Sequence, residues 1–301
     1  MALAADFHFS QESLQDYLDC PRRFQLRYLL RQQWPAVRSE PILESERWMQ
    51  QGAQFHHLVQ QYWLGLPVER LTAMAYGAAA SLAPHGEDGD LLRWWGNFLA
   101  YAPRLAGYAQ VQVEYAISAL VKGFHLSARY DWIGRTPDGA FSILDWKTYR
   151  RPPRRQALAA RMQTRVYPCL LVAAGAQLNA GRPISPDQVE LVYWIADIPD
   201  TPQHFPYSIV QYHKDLDYLA ALVEGVRQRG DTAGDAAGFE MTTALERCTY
   251  CVYRSLCDRG RRAGAFLDGE DVEAALEGGS GPGLEAGLSD LDFDMAQAIP
   301  W

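Results

Sequence analysis

The segment Ile143-Leu144-Asp145-Trp146-Lys147-Thr148 sets a carboxylate and an ammonium two residues apart at the end of an apolar run. In a strand, alternate side chains share a face, so both groups point the same way. Burying them is costly unless they are paired or used. Fourteen residues earlier, Asp131 stands in Ala128-Arg-Tyr-Asp131-Trp-Ile133. Two carboxylates on neighbouring strands can converge on one hard divalent cation, magnesium or manganese. Such an ion stabilises charge on phosphoryl oxygens and lowers the pKa of bound water. An ammonium beside it steadies the developing charge or holds the attacking water. Together these are the requirements of phosphodiester hydrolysis. Taken alone, Asp-x-Lys occurs by chance in many proteins and is far more often an ion pair flanking a strand, so the surroundings must decide.

Three further features accompany it. On an amphipathic helix over residues 46–64, His56 falls at the edge of the stripe formed by Trp48, Gly52, Phe55, Val59, Tyr62 and Trp63, while His57 falls on the far side. An edge histidine can reach a metal while its helix stays packed, though a lone histidine there is more often a packing residue. Gln163 and Tyr167 share a helical face four residues apart, where a glutamine could hold the lysine or a water. Between Lys147 and Arg165 lie Arg150, Arg151, Arg154, Arg155 and Arg161 with no acidic residue. Beside a metal site that run reads as a clamp on a phosphate backbone; elsewhere it would be a solvated face.

The cysteines form a second constellation. Cys248, Cys251 and Cys257 are spaced Cys-x-x-Cys-x5-Cys, and Cys20 stands just before Pro21, at a helix N-cap that favours a thiolate. One distant cysteine plus a cluster of three fits a 4Fe-4S centre better than zinc, which remains the alternative. Cys169, in an apolar run, reads as a core thiol.

These groups need elements to hold them. Two short helices are expected over 10–31, capped by Ser10, and further helices near 70–82 and 89–107. Residues 111–119, 124–133 and 140–147 read as a strand meander with turns at Lys122-Gly123 and Pro137-Asp138-Gly139. A helix over 155–175, kinked or divided at Pro168, should follow. Strands at 189–196 and 206–212 and a helix over 213–229 complete the reading. The fold class is α/β, a mixed sheet flanked by helices, with the two chain ends joined at the cysteine cluster.

The 301 residues are 48% hydrophobic and carry a formal net charge of −8. After Arg262 come nine acidic residues and no Lys or Arg, so the body alone is close to neutral and net charge decides nothing about nucleic acid. Residues 263–301 form an acidic, aperiodic tail expected to be disordered, leaving 1–262 as one domain. The start has no signal-peptide pattern and no apolar stretch of about 18 residues occurs, which leads to the expectation of a cytoplasmic protein without a membrane span. None of Lys122, Lys147 and Lys214 stands in Gly-Lys-Ser/Thr, so no phosphate-binding loop of the Walker type is present.

In order, these elements resemble the RecB-like nucleases of the PD-(D/E)XK superfamily, and within it the iron–sulfur branch that includes AddB nuclease domains and CRISPR-adaptation exonucleases. Ser10-Gln-Glu-Ser-Leu-Gln-Asp-Tyr17-Leu-Asp-Cys20-Pro21-Arg22-Arg23-Phe24 resembles the family's opening helix and first cluster cysteine. Gly52 to His56 is similar to its Gly-x-x-x-His motif, and Gln163 to Tyr167 to its Gln-x-x-x-Tyr motif. The resemblance implies a restriction-endonuclease-like fold, with His56, Asp131 and Asp145 as metal ligands and Lys147 as the catalytic lysine. It implies that Gln163 and Tyr167 support the site and touch DNA, and that Cys20, Cys248, Cys251 and Cys257 hold the cluster. The expected function is a DNA nuclease acting on single strands or ends in repair or recombination, with CRISPR spacer capture or a non-catalytic DNA-binding module as alternatives. A separate helicase or recombination protein is an expected partner. Three positions depart from the family pattern: Ala128, Trp132 and Tyr149. The tail's closing Ile299-Pro300-Trp301 resembles the tip of bacterial single-stranded-DNA-binding proteins, which would fit a protein partner for the tail or a cover for the basic groove, against the commoner case of a solubilising disordered tail.

Overall fold

The structure is a computed structural model; it describes residues 3–4, 6–33, 42–82, 89–149, 153–232 and 238–260. Arg150, Arg151 and the acidic tail lie outside the described residues.

The sheet grows from a hairpin. Strand β2 (Gln110–Val121) and strand β3 (Phe124–Arg135) pair antiparallel from Val121↔Phe124 down to Gln110↔Arg135. They are joined by Lys122 and Gly123, with φ of 48° and 84°. Two consecutive positive φ values define the hairpin turn whose twist matches its strands. The other edge of β3 is shared. Its first half pairs parallel with β1 (His8–Ser10), and its second half antiparallel with β4 (Phe141–Lys147). Strand β5 (Val189–Ile195) runs parallel to β4, and β6 (Gln203–Pro206) closes the edge antiparallel to β5. Among the described residues the sheet is therefore mixed and six-stranded.

Helices cover both faces. On one, α1 (Gln11–Asp19), α7 (Met162–Ala174) and α8 (Ile209–Thr232) bury Leu14, Val166, Leu170, Leu219 and Val223 against Tyr130, Ile143 and Tyr193. On the other, α3 (Ile42–Trp63), α4 (Val68–Leu82) and α5 (Gly89–Tyr101) bury Phe55, Leu71, Trp94 and Phe98 against Trp132, Trp146 and Trp194. A strand covered on both faces reads as a continuous apolar run. That accounts for Phe-Ser-Ile-Leu-Asp-Trp in β4, six buried residues in succession.

Two expectations are corrected. Residues 206–212 are not a strand: β6 ends at Pro206 and α8 begins at Ile209. Ser208 starts that helix, its Oγ accepting from the backbone N–H of Gln211 and its carbonyl from that of Tyr212, so Ile209 and Val210 lie exposed on the first turn. The helix over 155–175 is divided, but not at Pro168, which lies inside α7. The break falls at Arg161, whose ψ of 144° separates α6 (Arg155–Ala160) from α7. There the Gln15 side chain accepts the first N–H of α7, from Met162, at 3.1 Å, and the Thr164 hydroxyl bonds the Leu158 carbonyl. Strand β1 is too short for its periodicity to announce it, whereas α2 (Pro21–Phe24) starts at Pro21 with Cys20 at its N-cap, as expected.

Candidate functional site

The site forms where the hairpin changes faces. In the turn half of β3, Phe124, Leu126, Ala128 and Tyr130 face the α1/α7/α8 core. With strict alternation Trp132 would join them, yet it lies in the opposite core and Ile133 takes its place. On β2, Tyr115 and Ile117 pack on the first core while Val111 and Val113 pack on the second. Both strands thus invert their pleat between the pairs Val113↔Trp132 and Tyr115↔Tyr130. The residues at that inversion are Glu114 and Asp131. Glu114 has φ of +50°, a backbone conformation uncommon outside glycine.

Asp131, one position from the buried Trp132, accepts a backbone hydrogen bond from Trp146 N–H on β4 at 3.0 Å. Helix α3 brings His56 Nδ1 to 3.5 Å from its Oδ2. The expected edge position holds: Phe55 is fully buried, His56 half-buried and His57 exposed. Helix α3 can approach because Gly52 faces Thr148, while Trp48 Nε1 donates to the Thr148 carbonyl at 2.8 Å.

On β4, Asp145 and Lys147 share a face, with Lys147 Nζ 2.6 Å from Asp145 Oδ2. Gln163, buried on α7, donates to Asp145 Oδ1 at 2.5 Å. It therefore holds the carboxylate rather than the lysine. The Lys147 ammonium also lies over the Tyr193 ring. Tyr167, 5% exposed, packs on Tyr130, and its carbonyl accepts from the Tyr130 hydroxyl. Its ring supports α7 from within the core.

Electrostatics differ sharply among these acids. Burial pushes the Asp145 carboxyl up to about 6, against the pull of the Lys147 ammonium. Burial also opposes the charge of Asp131, but His56, Lys147 and the Trp146 N–H together hold its carboxyl below the usual range. Burial works against the Lys147 cation too, yet Asp145 beside it carries its pKa above the ordinary lysine value. Glu114 is raised by burial and then by Asp131, with the Arg129 guanidinium opposing.

Among the described residues one group has ligand atoms close enough for a single ion: His56, Glu114 and Asp131, all within 4.8 Å of one another. The set fits a hard divalent ion, an imidazole with two carboxylates. Asp145, expected as a ligand, stands at the same site with its oxygens on Lys147 and Gln163. Glu114 was not anticipated from sequence. The signal existed in the two-residue turn: counting back equally along both strands from Val121↔Phe124 sets Glu114 opposite Asp131.

The arginine run is partly committed. Arg165 pairs with the buried Asp215 at 2.6 Å, and Arg155 bonds the His204 carbonyl and stacks over Phe205. Arg161 lies over Tyr149, and Arg154 is exposed.

The four cysteines converge at the C-terminal end of α1, where Cys20 is the cap. Cys20, Cys248, Cys251 and Cys257 line one recess together with Arg23, Arg247 and Arg259. The segments at 19–32 and 240–253 meet there through the Arg22 N–H on the Glu240 carbonyl, Tyr253 Oη on the Gln32 carbonyl, and Arg247 with Asp19. Burial and the neighbouring thiols push Cys248 up to about 11. Cys169 is fully buried in the first core, and Trp132 packs edge-on against Tyr108.

The sequence profile of the PD-(D/E)XK nuclease superfamily matches residues 8–258. No curated protein matches the sequence. Among solved structures, the protein SSO0001 is 16% identical with a TM-score of 0.37, over 83% of this chain and 85% of its own. A candidate exonuclease from Eubacterium rectale is 10% identical with a TM-score of 0.46, over 90% of this chain and 94% of its own. No helix among the described residues is long and apolar enough to cross a membrane.

Proposed function

The chain belongs to the PD-(D/E)XK nuclease superfamily, and from that premise we propose that it is a divalent-metal-dependent nuclease. It hydrolyses phosphodiester bonds of DNA, on single strands or at ends, in repair or recombination. One observation carries the reading: Asp131, Asp145, Lys147 and Gln163 from two strands and a helix meet beside His56. A magnesium or manganese ion would be held by His56, Asp131 and Asp145, and would supply charge stabilisation on the phosphoryl oxygens and a lowered water pKa.

The chain's own groups do the rest. Lys147 keeps its proton, because Asp145 sustains its charge. It therefore acts as a fixed positive charge and hydrogen-bond donor toward the developing oxyanion, not as a base. Gln163 fixes the Asp145 carboxylate so that its second oxygen stays on the lysine. Tyr167 holds α7 against β3. The exposed Arg154, with Arg150, Arg151 and Arg155, contacts phosphates and sets the strand's register.

A second centre, a 4Fe-4S cluster on Cys20, Cys248, Cys251 and Cys257, joins the chain ends. Two observations support it. The four cysteines line one recess, and the segments that carry them are bonded to each other there. One distant cysteine with a cluster of three suits an iron–sulfur core, with zinc as the alternative.

The test is Asp145→Ala and Lys147→Ala, each assayed on labelled single-stranded and blunt-ended DNA with magnesium or manganese. Both should abolish cleavage in protein that still melts cooperatively. Undiminished cleavage by either, in folded protein, removes the site.

A further inference from the structure

We propose that Glu114 is a ligand of the divalent ion and that Arg129 is the internal cation that competes with the ion for that carboxylate. The inference rests on the metal-nuclease reading and extends its ligand set.

Three observations lead to it. First, Glu114 faces Asp131 across the hairpin, between Val113↔Trp132 and Tyr115↔Tyr130. Like charges directly opposite on paired strands repel, and a cation between them removes that penalty. Secondly, a donor of another chemical kind, His56, completes the group within 4.8 Å. This is an imidazole–carboxylate set rather than a mere acidic patch. Asp145 keeps its place in the set, its oxygens steadied by Lys147 and Gln163, and Glu114 is a further acid whose oxygen lies with the donor atoms of His56 and Asp131 within reach of one ion.

Thirdly, Glu114 has a counter-ion of a particular kind. Arg129 Nε lies 2.8 Å from its Oε2, and the Arg129 side chain is 52% exposed while that of Glu114 is 19% exposed. A long, half-solvated side chain can swing into water at little cost, since exposed ion pairs are weak. The pair is thus a resting arrangement that an incoming ion can displace. The guanidinium holds the carboxylate in place and yields it when a stronger positive charge arrives.

The experiment measures manganese affinity from the ion's own electron paramagnetic resonance signal, with no DNA and no turnover. Wild type is compared with Glu114→Gln, Arg129→Ala and Asp131→Asn, each checked by thermal melting. Glu114→Gln should weaken binding by at least about tenfold, as even the loss of an outer-shell partner does. Arg129→Ala should act in the opposite direction, tightening binding by up to about fivefold, as loss of a competing exposed ion pair allows. A merely structural role for the pair would not produce opposite signs. Wild-type affinity in Glu114→Gln overturns the ligand assignment, and unchanged or weaker binding in Arg129→Ala overturns the competition. The surface variant serves if Glu114→Gln fails to fold. If Asp131→Asn alone loses the ion, the nuclease reading stands and this extension falls. If Asp131→Asn also binds as wild type does, the metal-site reading itself is wrong.

Discussion

Adding one methyl group to Gly52 should cost about a factor of ten in cleavage, and cutting Thr148 back to its Cβ should restore it. A Cβ built on Gly52 would lie 2.9 Å from Thr148 Oγ1, short by about 0.5 Å of an ordinary contact. Helix α3 cannot tilt freely to relieve this, because Trp48 Nε1 is bonded to the Thr148 carbonyl one turn earlier. One turn later on the same face stands His56, 3.5 Å from Asp131. A displacement of about half an ångström therefore reaches the imidazole. Catalytic groups need placement to about 0.5 Å, and an error of about 1 Å can cost about a hundredfold, so about tenfold is expected for Gly52→Ala. Thr148→Ala removes the obstructing oxygen and leaves only Thr148 Cβ, 4.0 Å away. The double variant should recover most of the lost rate, a coupling that a two-mutant cycle isolates. The assay is magnesium-dependent cleavage of a labelled single strand, run beside manganese affinity and thermal melting. Full activity in Gly52→Ala, or a double variant as impaired as the single, refutes the argument that α3 positions the histidine through this contact.

Three other outcomes follow from the structure. The Asp145 carboxyl is pushed up to about 6 by burial, so protons compete with the ion below that pH. Metal affinity should fall by about tenfold for each pH unit below about 6 and level off above it; an affinity flat down to pH 4.5 would contradict this. Gly134→Ala would drive a methyl into the Trp132 ring and to 2.5 Å from Tyr108 Cδ1. It should destabilise by about 3 kcal/mol or more, read from denaturant midpoints. Protein prepared without oxygen should be brown and carry about four irons, and Cys257→Ser should lose most of them; colourless protein with stoichiometric zinc would reverse the assignment.

The parts that the sequence disclosed are those where one local cause suffices. The meander was legible because Lys122-Gly123 and Pro137-Asp138-Gly139 punctuate strands whose residues favour a pleated surface. Asp145, Lys147 and His56 were legible because strand and helix periods fix which side chains share a face. What escaped depends on partners distant in the chain. The break at Arg161 relies on Gln15 from α1, and helix propensity alone places the interruption at Pro168. The apolar pair Ile209-Val210 imitates a strand, yet Ser208 turns it into a helix start. The pleat inversion left no trace on β2, where Val111, Val113, Tyr115, Ile117 and Ala119 alternate without interruption. Glu114 could have been found by counting from the turn, but nothing in its own neighbourhood distinguishes it from a solvent-facing acid.

The hairpin imposes a rule on how this chain can change length. Glu114 stands seven positions from Val121 on one arm and Asp131 seven positions from Phe124 on the other, a reach of about 24 Å. One residue gained or lost on a single arm would slide the two acids past each other by about 3.4 Å and turn one of them to the wrong side. The arms can therefore be lengthened or trimmed only in step, and by two residues each if the inward-facing side chains are to stay inward. Relatives of this chain with longer or shorter hairpins should differ here in matched blocks, with the tip free to vary and the distance bookmarked at its base.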